Sequence, residues 1–129
     1  MIHRSNIIYK YDGSFDGLMC CIFESYYKRE IPMDIISPIV LQTTLIPVRK
    51  VETDLQKSRR VVNSIPKKIG RQALDFVRYS FLTCIPQKEL YILIFLRKGY
   101  QYGKSVMNMM ADNTVNKLFR AVKNLTNES

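Results

Sequence analysis

Tryptophan is absent from this 129-residue chain, and histidine occurs once, at His3. One terminal imidazole is poorly placed to serve as the base that a Ser, Cys or Thr nucleophile requires, and it cannot build a histidine-rich metal centre. Cysteine is scarce too: Cys20 and Cys21 are adjacent and cannot easily bridge on a helix, which leaves Cys84 alone. We therefore expect reduced thiols, with Cys20 and Cys21 packed beside an apolar stripe. No C-x-x-C pair occurs, and no structural or catalytic metal is expected. The five glycines form neither a G-x-x-x-x-G-K-[ST] loop nor a G-x-G-x-x-G fingerprint, which argues against ATP and dinucleotide cofactors. No cofactor is expected. Long apolar runs are also missing. The longest, Leu90 to Leu96, is cut at once by Arg97-Lys98, against the ~20 residues that span a bilayer. The short Ile7-Ile8 patch runs into Lys10 and Asp12, unlike a signal peptide. A cytoplasmic protein that avoids membranes is the expectation.

What is present is apolar content and positive charge. Hydrophobic residues make up 47% of the chain, enough for one ordinary core, so a single domain is expected. The net charge of +9 is unevenly spread, with six Lys/Arg against five Asp/Glu in residues 1–50 and fourteen against six in residues 51–129. Residues 1–52 read as a mixed strand and helix segment, and 53–129 as a basic helical segment. Such asymmetry favours a polyanionic partner, because cations that neutralise phosphates release condensed counterions.

Periodicity predicts an α+β fold that is predominantly helical, with about four main helices and a small two- or three-stranded sheet near the N-terminus. Asn6 to Tyr11 reads as a strand, and Leu41 to Val51 as a second extended stretch able to pair with it. Pro32 and Pro38 make Ile31 to Val40 read as a helical turn and loop. Asp12-Gly13 supplies a turn, Ser14 an N-cap, and Phe15, Leu18, Met19, Ile22, Phe23 and Tyr26 an apolar helical stripe. Asp16 suits the first helical turn and Glu24 would face solvent. Thr53 to Gln56 fits a capping box for a helix toward Ile69, kinked or ended by Pro66. Arg71 to Ile85 forms the next helix, and Lys88 to Met110 a central one, apolar almost all round. Asp112 or Asn113 can cap a last helix whose stripe is Val115, Leu118, Phe119, Val122 and Leu125. Left uncovered, that stripe would become a surface for self-association. Asn127 to Ser129 should fray.

The segment Tyr11-Asp12-Gly13-Ser14-Phe15-Asp16-Gly17-Leu18-Met19-Cys20-Cys21-Ile22-Phe23-Glu24-Ser25-Tyr26 resembles the start of the "probable DNA metabolism protein" family, a poorly characterised bacterial family associated with DNA repair. Val51 to Asp54, Ala73 to Leu82 and Leu96 to Lys104 resemble it too, in the family's order. The resemblance runs from about Ile7 to Leu125 and corresponds to the N-terminal half of longer members. It implies a context of DNA metabolism. Some members look fused to a uracil-DNA-glycosylase-like domain, and the family is associated with a radical S-adenosylmethionine protein, so either kind of protein is an implied partner. Neither module lies in this sequence.

Two basic groups are the candidate nucleic-acid contacts. One interleaves cations and rings on the central helix, where Arg97, Tyr100 and Lys104 fall nearest one face; cations can meet phosphates while a tyrosine stacks on a base. The other gathers Lys57, Arg59, Arg60, Lys67, Lys68 and Arg71 around the Pro66–Gly70 break, where a helix start at Gly70 would favour an anion. Gly99 and Gly103, one helical turn apart, are read as a site of close helix packing. No catalytic residue is assigned. Two functions follow as expectations: a DNA metabolism or repair accessory domain that binds nucleic acid through a basic helical surface, or a protein-interaction module that docks a repair or radical S-adenosylmethionine enzyme through the last helix or the Gly99/Gly103 face.

Overall fold

A computed structural model describes residues 3–39 and 45–127. The predicted extended stretch is therefore covered only from Leu45 onward, and Val40, Glu128 and Ser129 lie outside the described residues. The strands are β1 (His3–Arg4), β2 (Ile8–Lys10), β3 (Glu30–Ile31), β4 (Asp34–Ile36) and β5 (Val48–Lys50). The helices are α1 (Phe15–Lys28), α2 (Leu55–Lys68), α3 (Arg71–Leu82), α4 (Lys88–Tyr102) and α5 (Asn113–Asn127). The fold is α+β and predominantly helical, with its small sheet near the N-terminus. The chain forms two compact units, Met1–Val61 and Val62–Ser129, divided within α2.

The first unit is built on parallel pairing. Its three-stranded sheet has the order β4-β2-β5, with Tyr9 opposite Ile35 on one side and Arg49 on the other. β1 pairs separately with β3. Parallel neighbours require a crossover, and α1 provides it between β2 and β4. Ser14 starts this helix as predicted, its hydroxyl accepting from the Gly17 amide at 2.9 Å, while Asp12 accepts from the Ser14 amide and hydroxyl. Leu18, Met19, Cys20, Cys21 and Ile22 are buried, as are Ile8, Tyr9, Ile35 and Ile36.

Three expectations are corrected in this unit. The segment between Pro32 and Pro38 contains strand β4 rather than only a helical turn and loop, because β2 supplies the backbone partners that the local sequence does not reveal. The α2 cap is Asp54 rather than Thr53: the Asp54 carboxylate accepts from the amides of Gln56 and Lys57, and Thr53 instead donates its hydroxyl to Asp12 at 2.7 Å. Glu24 does not simply face solvent. It stands 3.7 Å from Arg49, which bonds Glu30 at 2.6 Å, and Glu30 in turn accepts from the phenol of buried Tyr9. Burial pushes the Glu30 carboxyl up, but hydrogen bonds from Tyr9, Arg49 and Ser5 overcome this and hold it below its ordinary range. Burial, followed by the hydrogen bond to Glu30, raises the Tyr9 phenol.

The second unit is helical and α4 carries its core, with Leu90, Ile92, Leu93, Phe95 and Leu96 buried. Phe76 of α3 meets Phe95 at 5.0 Å between ring centres and Phe119 of α5 at 4.4 Å. Val115 and Leu118 are fully buried, and Phe119, Val122 and Leu125 half-buried, so much of the predicted last-helix stripe is used within this unit. Asp112 begins α5 by accepting from the Val115 amide and also pairs with Lys98 at 2.7 Å. α3 stops at Leu82 instead of Ile85, and α4 stops at Tyr102 instead of Met110. Gly103 takes φ 67°, a left-handed conformation open to glycine, and a 3-10 turn follows over Gly103–Asn108.

Candidate nucleic-acid interface

The break at Gly103 decides which basic side chains meet. Because the α-helix ends there, the helical spacing that would align Lys104 with Arg97 and Tyr100 is interrupted. Lys104 lies instead in the 3-10 turn, where its Cγ would stand 3.7 Å from a Cβ placed on Gly70. Gly70 precedes α3 with φ 137°, a backbone state that side chains rarely tolerate. The turn between α2 and α3 thus runs beside the 3-10 turn, and a Cβ on Gly103 would come within 3.8 Å of the Lys68 carbonyl oxygen.

Between these two turns lies a cleft of about 390 Å³, lined by Gly70, Arg71, Gln72, Lys104, Met107 and Asn108 among others. No side chain caps α3. The first amides of a helix have no intrahelical acceptor, so the start of α3 adds partial positive charge to that of Arg71 and Lys104. Lys67 and Lys68 close the last turn of α2, where cations complement the negative end of the helix dipole. Lys67, Lys68, Arg71 and Lys104 are exposed, and none has an acidic partner among the described residues. The donors in and around the cleft, a guanidinium, an ammonium, open amides and the side-chain amides of Gln72 and Asn108, suit a phosphate oxygen.

The other predicted contacts lie elsewhere. Arg59 and Arg60 are exposed and belong to the first unit, with the Arg60 guanidinium 5.6 Å from the centre of the Phe23 ring. Arg97 is half-buried on α4. Tyr100 is half-buried as well; its hydroxyl shares a 2.6 Å hydrogen bond with Ser64, and burial pushes its phenol upward. Tyr102 is the exposed ring at this end of α4, at 51%. Gly99 is buried under Ile69: a Cβ there would overlap Ile69 Cδ1 and stand 3.0 Å from Cγ1. Gly103 does not share that helix face, because it lies beyond the end of α4.

The sequence reading did not name Gln72 or Asn108, whose polarity alone does not separate them from ordinary surface residues. A larger concavity of about 490 Å³ in the first unit is lined by Lys10, Asp12, Pro38, Lys50, Val51 and Thr53 among others, beside the C-terminal ends of β2 and β5. Its polar groups largely serve one another. Asp12 accepts from Ser14 and Thr53, which lowers its carboxyl, and Lys50 pairs with Glu52 at 3.6 Å. No family model, no curated protein and no solved structure matches this chain.

Proposed function

We propose that the chain is a DNA metabolism or repair accessory domain that binds nucleic acid through the basic surface at the start of α3. The observation that carries this reading is the convergence of Arg71 and Lys104 on one cleft at an uncapped helix start, with Lys67 and Lys68 beside it and no acidic partner among the described residues. Cations held in ion pairs have their charge answered internally, whereas these four remain available to a polyanion. The resemblance of Tyr11 to Tyr26 to a DNA-metabolism family supports the same direction. Binding of this kind reads the backbone rather than the base sequence.

The test is fluorescence anisotropy of a labelled single strand and its matching duplex across a salt series. Binding that weakens linearly in log-log form with salt, and falls in Arg71→Ala/Lys104→Ala, is the expected result. Absence of binding to either form at low salt would overturn the reading.

A second reading, a module that docks a repair or radical S-adenosylmethionine enzyme without activity of its own, is favoured by Tyr79 and Leu82. They lie one turn apart on α3 and are 48% and 63% exposed. Co-elution with such an enzyme that is lost in Tyr79→Ser/Leu82→Ser would support it.

A further inference from the structure

The first unit carries an arrangement that the cleft does not use. Phe23 and Tyr27 lie one turn apart on α1, their rings close to parallel at 17° with centres 6.4 Å apart. Lys57 Nζ stands 5.3 Å and the Arg60 guanidinium 5.6 Å from the centre of the Phe23 ring, and Lys28 Nζ stands 5.9 Å from that of Tyr27. Phe23 is half-buried beneath its cations. Tyr27 is 74% exposed, the most exposed aromatic side chain among the described residues.

Helix-dipole placement explains only Lys28, which stands in the last turn of α1 where a cation is favoured. Lys57 sits in the first turn of α2, where the helix dipole disfavours a cation and no acidic residue follows the cap. Lys28, Lys57 and Arg60 have no acidic partner among the described residues. A ring face holds a cation without consuming its hydrogen-bond donors, which stay open to an anion. The result is an exposed aromatic face with three unanswered positive charges around it and its neighbouring ring. A ligand that matches both features has a flat π surface and flanking phosphates.

We infer that Tyr27 is a stacking platform for an unpaired base of single-stranded nucleic acid, with Lys28, Lys57 and Arg60 contacting the phosphates on either side. A duplex keeps its base faces stacked on one another, so it offers charge to the cations but no face to the ring. An acidic peptide likewise answers the charge and leaves the ring unused. The inference deepens the nucleic-acid reading, and rests on it, but through residues that the α3 cleft does not contain.

The absence of tryptophan gives a direct probe. In the full chain, Tyr27→Trp places a sole indole at the platform, and its fluorescence is followed during titration with oligothymidylate, oligouridylate, a matching duplex and polyglutamate. Saturable quenching by the single strands and little by the duplex is expected, and comparison of the two single strands separates DNA from RNA. Tyr27→Ala should weaken single-strand binding about tenfold, the effect of losing one stacked base, with duplex binding unchanged. Tyr27→Phe should retain the affinity, because stacking uses the ring and not the hydroxyl. Unchanged indole fluorescence together with unchanged affinity in Tyr27→Ala would overturn the inference, and loss of binding in Arg71→Ala/Lys104→Ala would then leave the cleft reading standing. Equal quenching by polyglutamate would overturn it in favour of an acidic protein partner. Quenching by single strands with no effect of Arg71→Ala/Lys104→Ala would uphold the platform and remove the cleft.

Discussion

The two units handle positive charge differently. The first carries nine Lys/Arg against seven Asp/Glu, and the second eleven against four. In the first, Arg49 is fixed between Glu24 and Glu30 and Lys50 pairs with Glu52, so acids organise much of the charge around the sheet. In the second, Lys98 has Asp112, but Lys67, Lys68, Arg71 and Lys104 have no acid among the described residues. Lys28, Lys57 and Arg60 of the first unit also have no acid among the described residues, but they stand over aromatic rings rather than at the α3 cleft. Paired cations contribute to structure, and unpaired ones gathered at one cleft remain open to a ligand.

The largest expected effect breaks the acid-organised side of the comparison. Glu30→Ala removes the shared acceptor of Tyr9 and Arg49 and should cost about 2–3 kcal/mol in urea unfolding, because buried Tyr9 loses its acceptor and Arg49 keeps only the longer contact with Glu24. The same network sets pH limits. The folded Glu30 carboxyl lies below its ordinary 4.5, so its contribution is complete above that pH and is lost as the pH falls through the folded value. Tyr9 is raised above its ordinary 10.0, so its contribution holds below pH 10 and declines as the pH rises further. Glu30→Gln should shrink the acid loss, to which Asp12 and Asp112 also contribute, and Tyr9→Phe should shrink the alkaline one.

Next in size is Gly99→Ala. The added methyl must displace Ile69, and overpacking of about 1–3 kcal/mol exceeds the ~1 kcal/mol gained in helix propensity. A lower thermal midpoint would follow. Tyr100→Phe, which leaves the ring and removes the bond to Ser64, should cost about 1 kcal/mol without changing nucleic-acid affinity. A large loss of affinity there would return Tyr100 to the binding surface. The smallest effect sharpens the contrast: Lys104→Ala should move stability by no more than about 0.5 kcal/mol, as expected for an unpaired surface cation.

Local chemistry was legible where one segment contains its own partners. Asp12, Gly13 and Ser14 announce the start of α1, and the apolar run in α4 announces the core of the second unit. β4 was missed because three residues between two prolines show no alternation, and its pairing with β2 is a long-range fact. The end of α4 was missed because the helical pattern continues through Gly103, whose left-handed backbone is not written in residue type. The cleft was half legible. Its cations stand out in the sequence, but helical spacing puts them on two separate surfaces, and Arg71 and Lys104 line one cleft only because the Gly70 and Gly103 turns run side by side. Tyr27 falls outside the α1 apolar stripe, and that displacement beside Lys28 was its only sequence sign.

The most direct measurement is the salt dependence of nucleic-acid affinity in two matched double variants, Arg71→Ala/Lys104→Ala in the second unit and Lys10→Ala/Lys50→Ala in the first. The slope of log affinity against log salt should fall by about 2 in the former and keep its native value in the latter. Equal falls in both would mean that binding follows net charge over the whole surface, and would contradict the assignment of the interface to the α3 cleft.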